Sequence, residues 1–269
     1  MSTAYEWIKQ LLFSLYVTIR VYCLVVNRLI FDPKPYSGRY GHKIVIIGDG
    51  FALGFGGTLI PGLGGGIATA LHLKLADDRN IKQTWQLYNR GSYGSTSEDW
   101  LPSAESKRKV KAHLLEKTVN ERKIADAEVY FVLVGSEDIS KIQGEGISAE
   151  EIVNNLKSIC QYLRKKDKEV YLTTIPTADA SQKGGKYLET AKKCNELILQ
   201  YLEESADGVK AGPRIDLGNI EYDRDDLYWS DGKHFNSVGY EKIAKDFLFN
   251  SKSDLVKLEF ARFKKDLGY

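Results

Sequence analysis

Five short apolar runs punctuate the chain: KIVIIG (Lys43 to Gly48), TWQLY (Thr84 to Tyr88), VYFVLV (Val129 to Val134), VYLTTI (Val170 to Ile175) and RIDLG (Arg214 to Gly218). Most are apolar at consecutive positions instead of alternating, the pattern of strands covered on both faces. Longer stretches with helical periodicity separate or follow them, near Ile67 to Ala76, Ser103 to Lys123, Ser148 to Lys165, Gly185 to Glu203 and Ser237 to Phe249. Strands alternating with helices predict right-handed βαβ units. The expected fold class is therefore α/β, a three-layer sandwich around a mostly parallel five-stranded sheet.

Two segments stand outside this alternation. From Gln10 to Asn27 the chain is almost wholly apolar between Lys9 and Arg28, close to the ~20 residues that cross a hydrocarbon core. Tyr5, Trp7 and Tyr36 sit like interfacial aromatics. Arg20, at the centre, costs roughly 2.5 to 3.5 kcal/mol on insertion scales. On a helix, Lys9, Arg20 and Asn27 fall within about 20° of one another, so one polar line runs down an apolar rod. Three readings stand: a membrane-embedded anchor, a docking or interfacial helix, and a targeting segment. A cleaved signal is disfavoured, because Asp32-Pro33-Lys34-Pro35 follows the run where a small-residue cleavage site is required. Positive residues after the span outnumber those before it, which places the main domain on a cytoplasmic, stromal or matrix-like side. At the other end, Asp254 to Leu267 spaces Leu255, Val256, Leu258, Phe260, Phe263 and Leu267 among Lys and Arg. That pattern predicts an amphipathic helix, packed on its own domain, a neighbour or a membrane. The chain thus divides into an anchor (1–31), a Pro/Gly/Tyr linker (32–42), a main domain (43–250) and a C-terminal helix (251–269).

Charge narrows the partners. The 269 residues hold 38 Lys+Arg against 36 Asp+Glu, a net charge of +2, and so near a balance argues against a nucleic-acid partner. The expected partners are a membrane and other protein subunits, met through the N-terminal helix and the C-terminal one. The compartment is open; an organellar membrane, of a mitochondrion or plastid, suits the reading. Three cysteines, Cys23, Cys160 and Cys194, without a C-x2-C pair give neither a disulfide framework nor a structural zinc site. No cofactor or metal is expected, although Asp49, Glu137, Asp231 and His234 are of ligand type for a divalent cation. The basic run Lys107 to Lys111 reads as a wet helix face, and the glycines Gly62 to Gly66 as a lid or contact loop without the spacing of a phosphate loop.

In parallel sheets the site lies in loops after the strands. Those loops read Gly48-Asp49-Gly50, Asn89-Arg90-Gly91-Ser92-Tyr93-Gly94-Ser95-Thr96, Gly135-Ser136-Glu137-Asp138 and, before the last helix, Asp231-Gly232-Lys233-His234-Phe235-Asn236-Ser237-Val238-Gly239-Tyr240. In that order they resemble the four motif blocks of the SGNH (GDSL-type) hydrolase family, over roughly Lys43 to Asn250. The resemblance implies a flavodoxin-like sheet and an esterase site. Gly94 would lend its N–H to an oxyanion hole, and Asp231 would orient His234 as general base. Two positions depart from the pattern. Gly50 stands where the family has its nucleophilic Ser, and Glu137 where it has an Asn donor. A glycine cannot form an acyl-enzyme, and a carboxylate repels an oxyanion; losing one such donor alone costs about 2.7 to 4 kcal/mol. The leading expectation is a catalytically degenerate member serving as a membrane-anchored structural or accessory subunit, with Gly50, Gly94, Glu137, Asp231 and His234 as inactive site positions. Two alternatives stand beside it: an anchored esterase or lipase with an altered mechanism, using another serine (Ser92, Ser95 or Ser136) or water activated by His234, and a lipid- or glycan-binding module without turnover. Glu137 is expected to pair with His234, and Asp49 to brace the first loop.

Overall fold

A computed structural model of the chain describes residues 2–34, 36, 38–58, 66–105, 113–140, 147–176, 186–204 and 207–268. The basic run Lys107 to Lys111, the glycines Gly62 to Gly65 and the middle of the helix expected over Ser103 to Lys123 lie outside the described residues.

Helix α1 (Ser2–Phe31) precedes β1 (Gly41–Gly48), α2 (Gly50–Leu53), α3 (Ile67–Asp77), β2 (Thr84–Asn89), α4 (Leu114–Val119) and β3 (Val129–Leu133). Then come α5 (Ser136–Ser140), α6 (Ala149–Arg164), β4 (Glu169–Leu172), α7 (Lys186–Glu204), β5 (Lys210–Ala211) and α8 (Ser237–Asp266). All pairings in the sheet are parallel and the order is β2-β1-β3-β4-β5. β1 lies between β2 (Ile44 opposite Leu87) and β3 (Ile46 opposite Phe131). The chain therefore leaves β1 in opposite directions on its two sides, and the carboxyl ends of β1 and β3 flank a topological switch point.

The sheet is buried on both faces, as its apolar runs require. Ile44 and Ile46 of β1 face one layer with Leu71 of α3 and Ile243 and Phe247 of α8, while Val45 and Ile47 face the other with Leu156 of α6 and Ile198 of α7. Burying each of these large side chains contributes about 1.5 to 3 kcal/mol. Capping sets where the covering helices begin: the Ser148 hydroxyl accepts from Glu151 N at the start of α6, and the Asn236 side chain from Val238 N and Gly239 N at the start of α8.

Three expectations change. The fifth strand is Lys210–Ala211, not Arg214 to Gly218. Pro213 has no N–H to extend a ladder, and Asp216 to Gly218 is a turn closed by Gly218 N donating to Asp216. Of Ser103 to Lys123, only Leu114–Val119 is helical among the described residues, and it starts at His113 with φ 37°, a left-handed conformation no helix interior adopts. The C-terminal amphipathic pattern is the distal half of α8, which runs from Ser237 to Asp266 in one piece. It packs on its own domain through buried Leu255 and Glu259, while Phe260, Phe263 and Leu267 remain exposed. The Glu259 carboxylate accepts from Lys82 N, Gln83 N and Trp85 Nε1 at 2.9 to 3.0 Å.

Helix α1 lies against the domain with its C-terminal half. Val17, Val21 and Leu24 pack in one cluster with Leu53, Phe55, Tyr93 and Trp229. Arg20 is 7% exposed; its guanidinium lies 4.8 Å from the Trp229 ring and 5.5 Å from that of Phe55. It also donates to Gly57 O and to the Tyr16 hydroxyl. Arg28 donates to Gly91 O, and Arg90, paired with Asp32 and Glu121, closes the junction to the next segment. Among the histidines, His42 is not in a linker but in β1, buried, stacked on Trp85 and bonded to Glu128 and Gln83, whereas His72 is exposed.

Candidate active site

The end of β1 is shaped by close approach. A side chain on Gly48 (φ +149°) would meet Leu133 O at 1.8 Å, so the chain can turn there only without one. Asp49 follows as the cap of α2. Its carboxylate accepts from Phe51 N at 3.0 Å and from the Ser136 hydroxyl at 2.7 Å and Ser136 N at 3.1 Å, tying the first and third loops together. Full burial raises its pKa, with Glu137 adding to the rise, although those hydrogen bonds oppose it. The bracing role expected of Asp49 is thus what it performs, and its oxygens point into structure, not into the site.

Gly50 comes next, buried at the start of α2. A Cβ there would lie 3.4 Å from His234 Nε2 and 3.2 Å from Tyr93 Cδ2. His234 is 4% exposed, held among Phe51, Phe55 and Tyr93 at ring distances of 4.9, 4.6 and 6.5 Å. Its Nδ1 is 2.7 Å from the Asp231 carboxylate, which also accepts from Lys233 N and His234 N. Burial alone would raise Asp231; the imidazole and the two backbone donors outweigh it and hold the carboxyl below its usual range. With Nδ1 so engaged, Nε2 points towards Gly50 and has no hydrogen-bond partner among the described residues.

The second block folds as a cradle. The Asn89 side chain accepts from Gly91 N and donates to Ala52 O and Leu53 O, and Ser92 N donates to Gly48 O. Gly94 has φ +75°, a left-handed conformation that favours glycine, and no atom of the described residues lies within 4 Å of where a Cβ would be. Two of the alternative serines are committed elsewhere: Ser136 donates to Asp49, and Ser95 donates to Ser92 O while accepting from Trp100 Nε1. Glu137 does not pair with His234 as expected. Its partner is Lys233, at 3.6 Å, because the imidazole edge that faces the first loop is turned to Gly50. Asp138 is buried under the third loop and accepts from Ser97 N and the Ser97 hydroxyl at 2.8 and 2.7 Å. Among the described residues no group of three or more His, Cys, Asp or Glu is arranged to hold a metal ion.

Gly50, Gly94, Glu137, Asp231 and His234 therefore meet at one end of the sheet, around the carboxyl ends of β1, β2 and β3. A family model for GDSL-like lipase/acylhydrolase matches residues 44–247. The chain belongs to the GDSL-like lipase/acylhydrolase family. Solved structures agree on the fold. A lipase/acylhydrolase from Enterococcus faecalis aligns with TM-score 0.59 at 20% identity over 79% of this chain and 96% of its own. An acetylxylan esterase from Geobacillus stearothermophilus aligns with TM-score 0.56 at 18% identity over 79% and 96%. A hydrolase from the metagenome of Lake Arreo, Spain, gives 0.56 at 18% over 80% and 98%. No curated protein sequence matches this one.

Within the GDSL-like domain, Tyr93, Phe55, Trp229 and Lys233 escaped the reading of the sequence. Lys233 had a signal, lying inside the Asp231 to His234 block. Tyr93 had one too, lying inside the Asn89 to Thr96 block, whereas Phe55 and Trp229 had none, being far apart in the chain.

Proposed function

We propose that this GDSL-like protein is a catalytically degenerate member of its family, held at a membrane by α1 and acting as a structural or accessory subunit of a membrane-associated assembly. The observation that carries the reading is the position of Gly50. The dyad of Asp231 and His234 is intact and Nε2 is aimed at residue 50, where a Ser side chain would begin 3.4 Å away and where this chain has only hydrogen. Acyl transfer in the Ser-His-Asp manner needs that hydroxyl. Glu137, neutralised by Lys233, supplies no donor for an oxyanion. What remains is a scaffold with a buried imidazole, and α1 gives it an apolar surface.

A second reading is favoured by the orphaned Nε2: His234 activating water directly, without a covalent intermediate. One assay separates the two. The protein is expected neither to label with a fluorophosphonate probe nor to hydrolyse p-nitrophenyl acetate, while Gly50→Ser with Glu137→Asn is expected to label. Turnover by the unaltered protein that disappears in His234→Ala would overturn the degenerate reading and establish the water mechanism.

A further inference from the structure

Around α1 the charged residues are confined to one side, while apolar ones occur on both, exposed Phe13 among the charges. At 100° per residue, the side chains that touch the domain, Val17, Arg20, Val21, Leu24 and Arg28, occupy a sector of about 100°, and Glu6, Lys9, Gln10 and Asn27 fall in that sector or within about 20° of it. Diametrically opposite runs a stripe made by Ile8, Leu11, Leu15, Ile19, Tyr22 and Leu29, confined to about 80°, each 50% exposed or more. No charged residue interrupts it. The stripe continues past the residues that dock, so it is apolar along the whole helix and not just on its free end.

Length decides what such a helix can do. The helix from Tyr5 to Ile30 is long and apolar enough to cross a membrane. Yet from Tyr16, stacked on Trp229, to Arg28, bonded to Gly91, it is fastened to the domain. Beside its C-terminal end stands the ion-pair network of Arg90, Asp32, Glu121 and Lys123, which cannot enter hydrocarbon. The free part, Ser2 to Leu15, is 14 residues, or about 21 Å of helix, against a core of about 30 Å. A span would have to tear Arg20 from Gly57 and Trp229 or drag the domain into the lipid.

We propose that α1 does not span but lies in the plane of a lipid surface, its apolar stripe in the acyl boundary and its polar face carrying the domain. The bilayer is the occupant that an uninterrupted apolar stripe of this length fits, with Tyr5, Trp7 and Tyr22 at the depth where aromatics rest. The roof over His234, made by Phe55, Tyr93 and Trp229, then lies between the domain and the membrane, with α1 across it. This rests on the membrane half of the proposed function.

The test adds full-length protein to detergent-softened vesicles of phosphatidylcholine and phosphatidylglycerol, which admit a span as readily as surface binding, and then removes the detergent. In a Cys23→Ser background, with Cys160 and Cys194 fully buried, the variants Glu6→Cys and Lys34→Cys, each with one accessible cysteine, are probed with an impermeant maleimide. Both are expected to label before the vesicles are opened. Leu15→Glu with Ile19→Glu is expected to lower vesicle binding by tenfold or more, on the order of the insertion cost of a charge, while Lys9→Gln changes it by about fivefold or less, on the order of one basic residue's attraction to an anionic surface. Protection of the Glu6→Cys variant alone, or of the Lys34→Cys variant alone, would mean a span and overturn the in-plane reading while leaving the anchor. Binding indifferent to the stripe charges would overturn it too. No binding at all would overturn the membrane half of the proposed function with it.

Discussion

Asp138 shows how one residue of a motif serves the fold instead of the chemistry. It is 3% exposed, and burial raises its carboxyl to about 7 although Ser97 donates to both oxygens. An unfolded chain releases that proton near pH 4, so between about pH 4 and 7 the folded state holds one proton more than the unfolded. Stability from this group is complete below about pH 4, is lost as pH rises towards 7, and is level above. Asp138→Asn, which mimics the protonated acid, is expected to flatten the fall in urea midpoint across that window; an unchanged slope would show the proton to be held elsewhere. Gly50 makes the complementary point. Its neighbours are His234 Nε2 and the Tyr93 ring, and its own identity gives them no side chain to meet.

At the scale of elements, the junction of α1 with the loops after β1 and β2 is the least ordinary feature. Arg20 is a charge removed from water, and its cost is met by Gly57 O, the Tyr16 hydroxyl and the faces of Trp229 and Phe55. Cation–π contact of this kind contributes about 0.5 to 2 kcal/mol, and a charged hydrogen bond about 1.5 to 3. Arg20→Ala is therefore expected to lower the unfolding free energy by about 2 to 4 kcal/mol, or to free α1 as a separately melting unit, with Arg20→Lys in between. A chemical denaturation series, followed by tryptophan fluorescence and circular dichroism, reads either result. An unchanged midpoint and spectrum would mean that α1 is not docked.

For the whole molecule, the distal half of α8 ties together segments that lead into the strands, Tyr40 donating to Asp266 ahead of β1 and Arg262 to Glu128 ahead of β3. Glu259 there gathers three donors, two from the segment leading into β2 and one from Trp85 within it, joining the end of the chain to residues some 175 positions earlier. Glu259→Ala leaves the buried Trp85 Nε1 and the part-buried amides of Lys82 and Gln83 without their acceptor and is expected to cost about 1 to 3 kcal/mol, measured as a shift of the global transition. A local change confined to α8, with the main transition unmoved, would contradict this.

The α/β class, four of the five strands and the family outline were legible in the sequence, because doubly buried strands must be apolar at successive positions and the site loops must follow them. The orphaned state of His234 Nε2 was half legible: Asp231 and His234 stood in a recognisable block, and Gly50 declared the missing hydroxyl. Whatever depended on distant residues meeting was not. Glu137 has Lys233 as partner instead of His234, β5 forms before Pro213, and no local pattern marked Glu259 as the acceptor for Trp85. Arg20 is the clearest instance. Local sequence determined that a charge sits in the middle of an apolar helix and must be satisfied; the partner that satisfies it, a carbonyl and two rings from loops tens to hundreds of residues away, exists only once the sheet has brought those loops together.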